Sequence, residues 1–272
     1  MTGFADEISP DLDEQLDTLA LESIRHMELR SVWNKNVLDL TDEELKQVRS
    51  AASNRGIGVS SIGSPIGKVP VTDPFGPHLQ RFRRALRVAN TMGTPYVRVF
   101  SFFIPDGHEP GNYRDEVLER MSVLANEARR AGITLLHENE KGIYGDAPGR
   151  CAEILSGVGS PTLRAAWDAA NFVQCGVRPH TEGYELLRPY LEYVHVKDAL
   201  AGSGRVVPAG EGDGEIEETV SALRASGFEG YFSLEPHLSS SGTHGGFSGP
   251  ALFRKAAGAF KDLLVRQEIE WS

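Results

Sequence analysis

Eight short apolar stretches recur along the 272-residue chain, and a longer amphipathic segment follows each of them. The amphipathic segments carry apolar residues at helical spacing, as Leu12, Leu16 and Leu19 do. Alternating strands and helices predict parallel β–α units, because a crossover must return the chain before the next parallel strand begins. The strand candidates are GFADEIS, RHMELRS, GVSSIGS, PYVRVFSF, ITLLHENE, LRAAWDAANF, YVHVKDA and GYFSLEPH.

Eight such units predict an α/β fold, a single (β/α)8 TIM barrel over residues 1–272, since this fold commonly takes about 250 residues. The alternative is a doubly wound open sheet, but the first turn, ADEISP, lacks the glycine-rich pattern typical of that fold. The Gly/Ser-rich run at 239–249 lies between the last strand and the last helix. We expect it to form a loop or lid on the active face.

Composition and charge exclude several classes of protein. The formal net charge is −10, so bulk electrostatics disfavour nucleic acid and anionic membranes as partners. The two cysteines, Cys151 and Cys175, are too few for a disulfide framework or a zinc finger. The N-terminal residues lack the apolar stretch of a signal peptide, and no apolar run is long enough for a membrane span. A cytoplasmic location is expected, and association into a homo-oligomer is left open.

Four residues with metal-binding side chains end the last four predicted strands. Catalytic groups of such barrels lie at the C-terminal ends of the strands. A single acid at a strand end usually forms a salt bridge, and a single histidine in a strand usually packs in the core. Four such residues at the ends of four successive strands instead predict a metal site. Mixed carboxylate and imidazole ligands suit a divalent metal, with Mn²⁺ favoured over Mg²⁺, Co²⁺ or Zn²⁺. The four residues are Glu138, Asp168, His195 and Glu235.

The same strand ends form recognisable motifs: HENE at 137–140, WDAAN at 167–171, VHVKD at 194–198 and LEPH at 234–237. Together they resemble the xylose isomerase-like sugar (phosphate) isomerase/epimerase family of TIM barrels. ELRS at 28–31 and the glycine-rich PAGEGDGEIE at 208–217 extend this resemblance over most of the chain. The resemblance implies that the four strand-end residues bind the metal and that Glu138 and Glu235 are the catalytic acid/base pair.

The chemistry that follows is proton transfer next to a carbonyl group. A metal that chelates a carbonyl and a neighbouring hydroxyl acidifies the C–H between them, and a carboxylate on each face can remove and return the proton. The expected function is a divalent-metal-dependent isomerase or epimerase of a free sugar-like ketone or aldehyde, acting through an enediolate. Elimination from the same enolate would instead give a lyase or dehydratase acting on an inosose or a 3-keto-glycoside.

Asn171 keeps the lyase alternative open. Many epimerases of the family carry a histidine three residues after the aspartate of strand six, where this chain has Asn171. An asparagine can hydrogen-bond a hydroxyl, but it cannot take up a proton at neutral pH.

Further residues are expected to contact the substrate. Strand alternation places Lys197 on the same side as His195, where it could stabilise an enolate oxygen, although a structural pair with Asp198 is the alternative. The predicted substrate-binding residues are Asn171, Lys197, His237 and Trp33, the last by stacking on a sugar face.

A neutral sugar or cyclitol is the expected substrate. Glu211, Asp213 and Glu215 make the loop after strand seven acidic, and such a loop would repel a phosphate. Binding of a phosphate by Lys68 or Arg205 would overturn this expectation.

Two other functions, a DNA-repair endonuclease and a non-catalytic sugar-binding subunit, are disfavoured by the sequence. A related barrel cleaves abasic DNA with three zinc ions, but the eight histidines here are scattered and the chain is acidic. A non-catalytic sugar-binding subunit is disfavoured by the four intact ligand candidates.

Overall fold

The computed structural model describes residues 1–239 and 246–271. The eight predicted strands are present and parallel. In chain order they are β1 Thr2–Gly3, β2 His26–Leu29, β3 Gly58–Ile62, β4 Tyr96–Val99, β5 Thr134–Glu138, β6 Leu163–Asp168, β7 Leu191–Val196 and β8 Tyr231–Leu234.

The strands form a barrel. Their hydrogen-bonded order is β1, β8, β7, β6, β5, β4, β3, β2, so strands that follow one another in the chain are neighbours in the sheet. A parallel bridge between Phe4 and Glu28 links the first and second strands and completes the ring. The predicted TIM barrel is therefore confirmed, and the carboxyl ends of all eight strands face one rim.

Helices surround the barrel, and their ends follow local sequence signals. Thr41 and Glu44 form the capping box of the second helix, while Gly93 and Gly132 end the third and fourth in the left-handed conformation. No helix among the described residues is long and apolar enough to cross a membrane. The α-helices are Leu12–Leu21, Asp42–Asn54, Phe75–Met92, Arg114–Ala131, Pro148–Val158, Ala169–Gln174, Glu185–Leu187, Ile216–Ala225 and Pro250–Arg266.

Short elements decorate the rim and the crossovers. The 3₁₀ turns are Ala5–Glu7, Val37–Asp39, Pro110–Tyr113 and Arg188–Tyr190, and a π-helical turn covers Pro179–Tyr184. Two small hairpins pair Ser31–Val32 with Lys35–Asn36 and Asp198–Ala199 with Val206–Val207.

Three predicted segments differ clearly in extent. The first strand ends at Gly3, and Ala5–Glu7 form a 3₁₀ turn in place of the predicted strand residues. The sixth strand stops at Asp168 rather than continuing to Phe172, because the Asp168 carboxylate accepts a hydrogen bond from the Asn171 backbone N–H and caps a helix there. The Gly/Ser-rich run is described only at its ends, where Ser239 pairs with Phe247 in an antiparallel bridge. Residues 240–245, the centre of the predicted lid, lie outside the described residues.

The barrel interior is polar below the rim. The hydroxyls of Ser60 and Tyr193 lie 2.8 Å apart, and Ser60 also lies 2.8 Å from the hydroxyl of Thr2. One level higher, the Ser233 hydroxyl donates to Glu28 at 2.8 Å. These hydrogen-bonded groups form a polar floor for the site above them.

Three rim loops are joined into one unit, which we call the collar (residues 66–71, 100–104 and 142–144). Phe103 bridges Pro70 on one side and Ile143 on the other. Gly67 is required here: its φ is +92°, and a Cβ would lie 2.0 Å from the Phe100 carbonyl oxygen. Its backbone N–H donates to Nε2 of buried His78 at 2.9 Å.

The His78 contact predicts a pH dependence of stability. Burial, together with Arg120 and Arg81, lowers the pKa of His78 from the usual 6.5 to about 4. The unfolded chain therefore binds the proton more tightly, so stability is complete above pH 6.5 and falls as the pH drops toward 4. We expect a loss of roughly 2 kcal/mol from this group, measured by urea unfolding across that range.

The control is His78→Gln, which keeps an acceptor for Gly67 but does not titrate. Other groups titrate in the same range, so the difference between the two proteins is the readout. Identical pH profiles would contradict the assignment.

Candidate active site

The four predicted metal ligands come together at the rim. Glu138 and Asp168 end β5 and β6, His195 lies in β7, and Glu235 directly follows β8. Each side chain is buried, and one ligand atom from each lies within 4.8 Å of the others. Strands fixed by backbone pairing therefore hold four donors around a common point.

The spacing of these atoms fits a divalent cation. Nδ1 of His195 lies 3.3 Å from Glu138 Oε1 and 3.8 Å from Glu235 Oε2. An octahedral ion with bonds of about 2.1 Å holds its ligand atoms about 3–4 Å apart. Although buried, His195 Nδ1 forms no well-aligned hydrogen bond with a described residue. Such an atom is available for coordination.

The outer nitrogen of His195 is oriented by a carboxylate. Its Nε2 lies 3.2 Å from Glu28 Oε2, and the rings of Phe4 and Tyr193 pack edge-on against the imidazole. A carboxylate behind a histidine ligand favours the tautomer whose other nitrogen faces the metal. Glu28 was not among the predicted site residues, although its motif, ELRS, was recognised.

Lys197 supplies positive charge inside the cluster. Its Nζ lies 2.6 Å from Asp168 Oδ2 and 3.1 Å from Glu235 Oε2, on the same side as His195 as strand alternation predicted. It does not pair with Asp198. Burial opposes its charge, but these carboxylates hold the pKa of Lys197 well above its usual value.

Two arginines hold the two glutamates. Arg98 Nη1 lies 3.1 Å from Glu138 Oε2, and Arg30 Nη1 donates to Glu235 Oε1 at 3.1 Å. Burial raises the pKa of Glu138, but His195 and Arg98 outweigh it and lower the value to about 2. Neither arginine was among the predicted site residues, although Arg98 was recognised as a possible partner for acids inside the barrel. The signals were an arginine within the apolar fourth strand and one directly after the second strand.

Asp168 is the carboxyl group of the cluster whose negative charge is least stabilised. Burial raises its pKa to about 7; Lys197 opposes this rise, and the carboxylates of Glu235 and Glu138 reinforce it. A dication at this point would favour the charged form of Asp168.

Asn171 and Asn139 position the acids. The Asn171 side-chain amide donates to Glu138 Oε1 at 3.3 Å and to the Asn139 carbonyl at 2.9 Å. Asn139 in turn exchanges two hydrogen bonds with the backbone of Asp168, of 2.8 and 2.9 Å. The amide of Asn171 therefore fixes Glu138 where a titrating histidine was the family expectation.

His237 lies beside the second catalytic candidate. Its Nε2 is 3.3 Å from Glu235 Oε1 and 3.2 Å from Glu7 Oε1. Burial raises the pKa of Glu7, while His237 and Arg30 lower it. Glu7 lies in a 3₁₀ turn rather than in the first strand, and this turn brings it to the rim.

A cavity of about 270 Å³ opens above the cluster. Three of the four predicted substrate-binding residues, Asn171, Lys197 and His237, line it. Trp33 is not among the described lining residues; it is half-buried against the apolar core. The other lining residues are Lys68, Phe103, Glu140, Lys141 and Gln174.

The acidic loop after β7 is built around Asp198. Its carboxylate accepts hydrogen bonds from the N–H groups of Gly210, Gly212 and Gly214 at 2.9, 3.0 and 2.8 Å. A Cβ on Gly212 or Gly214 would lie 2.4 or 2.6 Å from Asp198 Oδ1, so the glycines permit this approach.

The acids that suggested repulsion of phosphate are outside the cavity lining. Asp213 accepts from the Ala201 backbone N–H, and Glu215 accepts from Thr181 and Arg178. None of Glu211, Asp213 and Glu215 is among the described lining residues. Their charge is therefore a weak guide to what the cavity binds.

Most of the chain matches a known protein family. The profile of the xylose isomerase-like TIM barrel family matches residues 19–263. The chain belongs to this family, as the strand-end motifs implied.

Similar proteins include a named epimerase, an epimerase-like protein and a probable dehydratase. A 2-epi-5-epi-valiolone 7-phosphate 2-epimerase from Actinoplanes sp. is 28% identical over 182 residues, which are 66% of this chain and 65% of that protein. A D-tagatose 3-epimerase-like protein has a TM-score of 0.80 at 17% identity, with 98% of each chain covered. A probable 3-DHS dehydratase from Bacillus anthracis has a TM-score of 0.71 at 15% identity, covering 90% of this chain and 92% of that one. At such identities the two structures establish the fold alone.

Metal binding should stabilise the protein. A ligand that binds only the folded state stabilises it by mass action, so Mn²⁺ at about 100 times its Kd should raise Tm by roughly 5–10 °C. Asp168→Asn should remove most of this shift, because it replaces a charged ligand by a neutral amide. Differential scanning fluorimetry with and without EDTA measures both.

The matched control is Asp115→Asn, whose side chain is 94% exposed on an outer helix. It should keep the full Mn²⁺ shift. An Asp168→Asn protein with the same shift as wild type would contradict the proposed ligand set.

The Asp198 contacts predict a second stability effect. Asp198→Asn would turn an NH₂ group toward N–H donors that now meet a carboxylate oxygen, so backbone donors that are partly buried would lose their acceptor. We expect a loss of about 2–3 kcal/mol in the free energy of unfolding, measured with urea. Asp213→Asn in the same loop is the control, since its one backbone contact survives the change; an equal loss in both variants would contradict the prediction.

Proposed function

We propose that this protein is a divalent-metal-dependent epimerase or isomerase of a sugar-like ketone or aldehyde. The observation that carries the proposal is the convergence of Glu138 and Glu235 with Asp168 and His195 beneath a polar cavity. Membership of a family that includes sugar isomerases and epimerases supports it.

The four converging residues would hold the metal, with Mn²⁺ as the favoured ion. When bound, such a metal polarises a substrate carbonyl and lowers the barrier to removal of the adjacent proton. In this proposal Asp168 and His195 serve as metal ligands and not as acid or base, because Lys197 contacts the other side of Asp168 and Glu28 contacts the other nitrogen of His195.

Glu138 and Glu235 are the proposed acid/base pair. Glu138 ends β5 and Glu235 directly follows β8; two strands separate β5 from β8, so the two carboxylates approach the site below the cavity from different directions. One carboxylate takes the proton from the carbon beside the carbonyl, which leaves an enediolate. The other delivers a proton to the opposite face for epimerisation, or to the neighbouring carbon for isomerisation.

The remaining cavity residues orient the substrate. Lys197, buried between Asp168 and Glu235, lies where an ammonium group can stabilise negative charge on an enediolate oxygen. Asn171 uses its amide donors on Glu138 and Asn139, so its oxygen is the group left to accept from a substrate hydroxyl. His237 offers a further polar contact, and Trp33 stays a prediction.

A lyase or dehydratase acting on an inosose or a 3-keto-glycoside is the second candidate. Asn171 favours it, because an amide that cannot titrate replaces the family histidine beside the reacting carbons. One structural neighbour is a probable 3-DHS dehydratase. Both candidates begin with the same proton removal and differ in whether a β-hydroxyl then leaves.

Solvent deuterium exchange tests the shared step. Mn²⁺-loaded protein in D₂O is mixed with free ketoses, inososes and 3-keto-glucosides, and loss of the proton beside the carbonyl is followed by NMR. Glu138→Gln should slow exchange by about 10³-fold or more, because the amide cannot accept the proton. Glu43→Gln, on an outer helix and 82% exposed, is the control and should exchange like wild type.

The products formed in the same reaction distinguish the epimerase or isomerase from the lyase or dehydratase. An inverted or isomerised sugar supports the first, and loss of water supports the second. Exchange that survives both Glu138→Gln and removal of the metal would refute the proposed chemistry.

A further inference from the structure

We infer that Glu7 is a positioning residue for Glu235: it fixes the backbone that follows β8 and thereby the direction of the Glu235 carboxylate. The inference rests on the proposed function, in which Glu235 is both a metal ligand and one of the acid/base pair. Glu7 itself is not among the described residues that line the cavity. Its contacts instead join three parts of the chain around Glu235.

Glu7 is a fully buried carboxylate that takes no part in the proposed chemistry. It is 0% exposed, and a buried carboxylate is costly unless hydrogen bonds compensate it. Its Oε2 accepts from the His237 backbone N–H at 2.8 Å and from the Ser248 hydroxyl at 2.9 Å. Both donors belong to the chain that follows β8, so these bonds hold that chain to the turn after β1.

The residue that Glu7 holds has a strained backbone. His237 has a φ of +43°, in the left-handed region that residues with a β-carbon rarely adopt. Such a conformation persists where neighbouring contacts enforce it, and the bond from its N–H to Glu7 is one of them. Pro236 precedes His237, and a residue before a proline is restricted to extended conformations. Glu235 is therefore followed by a stiff turn that Glu7 anchors.

The barrel holds Glu235 on its other side. The Glu235 backbone N–H donates to the Val196 carbonyl of β7 at 3.2 Å. Nε2 of His237 lies 3.3 Å from Glu235 Oε1, so the place of the His237 ring also limits where the carboxylate can turn. Releasing the His237 backbone would free both its own ring and the Glu235 carboxylate.

Glu7 also ties the start of the last helix to this turn. Its carbonyl oxygen accepts from the backbone N–H groups of Ser248 and Gly249 at 3.0 and 2.8 Å. The Ser248 hydroxyl accepts in turn from the Leu238 N–H at 3.0 Å. One residue in the first β–α connection thus joins the chain directly after His237 to the chain that begins the last helix.

A role as ligand of a second metal is the alternative, since Glu7, Glu235 and His237 each offer an atom within 4.8 Å of the others. Two contacts disfavour this role. Arg30 Nη1 already donates to Glu235 Oε1 at 3.1 Å, and its charge would repel a second cation there. The Gly246 N–H donates to His237 Nε2 at 3.1 Å and so uses the nitrogen that would bind the metal.

The affinity for Mn²⁺ tests the positioning role without turnover. Isothermal titration calorimetry should give about tenfold weaker Mn²⁺ binding in Glu7→Ala, because a displaced Glu235 is a poorer ligand. Glu7→Gln keeps a side-chain oxygen for both donors and should bind Mn²⁺ nearly as wild type does. Thr41→Ala is the control for lost stability, because it removes the capping box of an outer helix; it should bind Mn²⁺ like wild type.

Equal Mn²⁺ affinity in wild type and Glu7→Ala would overturn the inference. Two Mn²⁺ per chain in wild type and one in Glu7→Gln would also overturn it, since Glu7 would then be a ligand. If Glu7→Ala does not fold, Ser248→Ala takes its place, because it removes one donor from the carboxylate. This variant should weaken Mn²⁺ binding roughly threefold, and an unchanged affinity would count against the inference.

Deuterium exchange at saturating Mn²⁺ provides the second arm. Glu7→Ala should lower kcat about tenfold and leave KM within about twofold of wild type, because Glu7 makes no substrate contact in this role. A rise in KM alone would contradict the positioning role. Exchange that requires the metal but not Glu7 would refute the inference and leave the proposed function standing. Glu7-dependent Mn²⁺ binding with no exchange of any substrate would support the positioning role and count against the proposed function.

Discussion

The balance of buried charge at the barrel rim is the constraint on which the rest of the site depends. Burying a carboxylate without compensation costs several kcal/mol, and three of them converge here. Arg98 meets Glu138, Arg30 meets Glu235, and Lys197 lies between Asp168 and Glu235. These cations hold the acids at spacings that a metal ion can use, and they limit how far any one side chain can turn.

The fold was largely predictable because its signals are local. Alternating strand and helix patterns specify parallel units, and features such as the Thr41 capping box and the glycines at helix ends mark boundaries within a few residues. The four candidate ligands were also identifiable, since each follows a strand whose direction is set by the barrel. The overlong sixth strand was the exception: Asp168 caps a helix through its own carboxylate, a choice that the apolar pattern alone does not reveal.

What could not be predicted depends on contacts between distant parts of the chain. Arg30 and Glu235 are 205 residues apart, and only the closed ring brings them together. The acidic loop is a weak guide for a similar reason: Glu215 and Asp213 are engaged by Thr181, Arg178 and Ala201, so composition alone does not give the charge that the cavity meets. The three lysines of the cavity come from loops after β3 and β5 and from the end of β7, and no sequence window contains them together.

The collar has a consequence for how specificity in such a barrel can change. Because the loop that contains Phe103 is hydrogen-bonded to a loop on each side, lengthening any one of the three loops would break the pairing of its neighbours. Insertions are therefore costly on this side of the rim, whereas single side-chain exchanges at Lys68 or Lys141 leave the backbone pairing intact. In such a barrel, substrate specificity on the collar side should change by point substitution. Insertions and deletions should occur instead in rim loops that are not hydrogen-bonded to neighbouring loops.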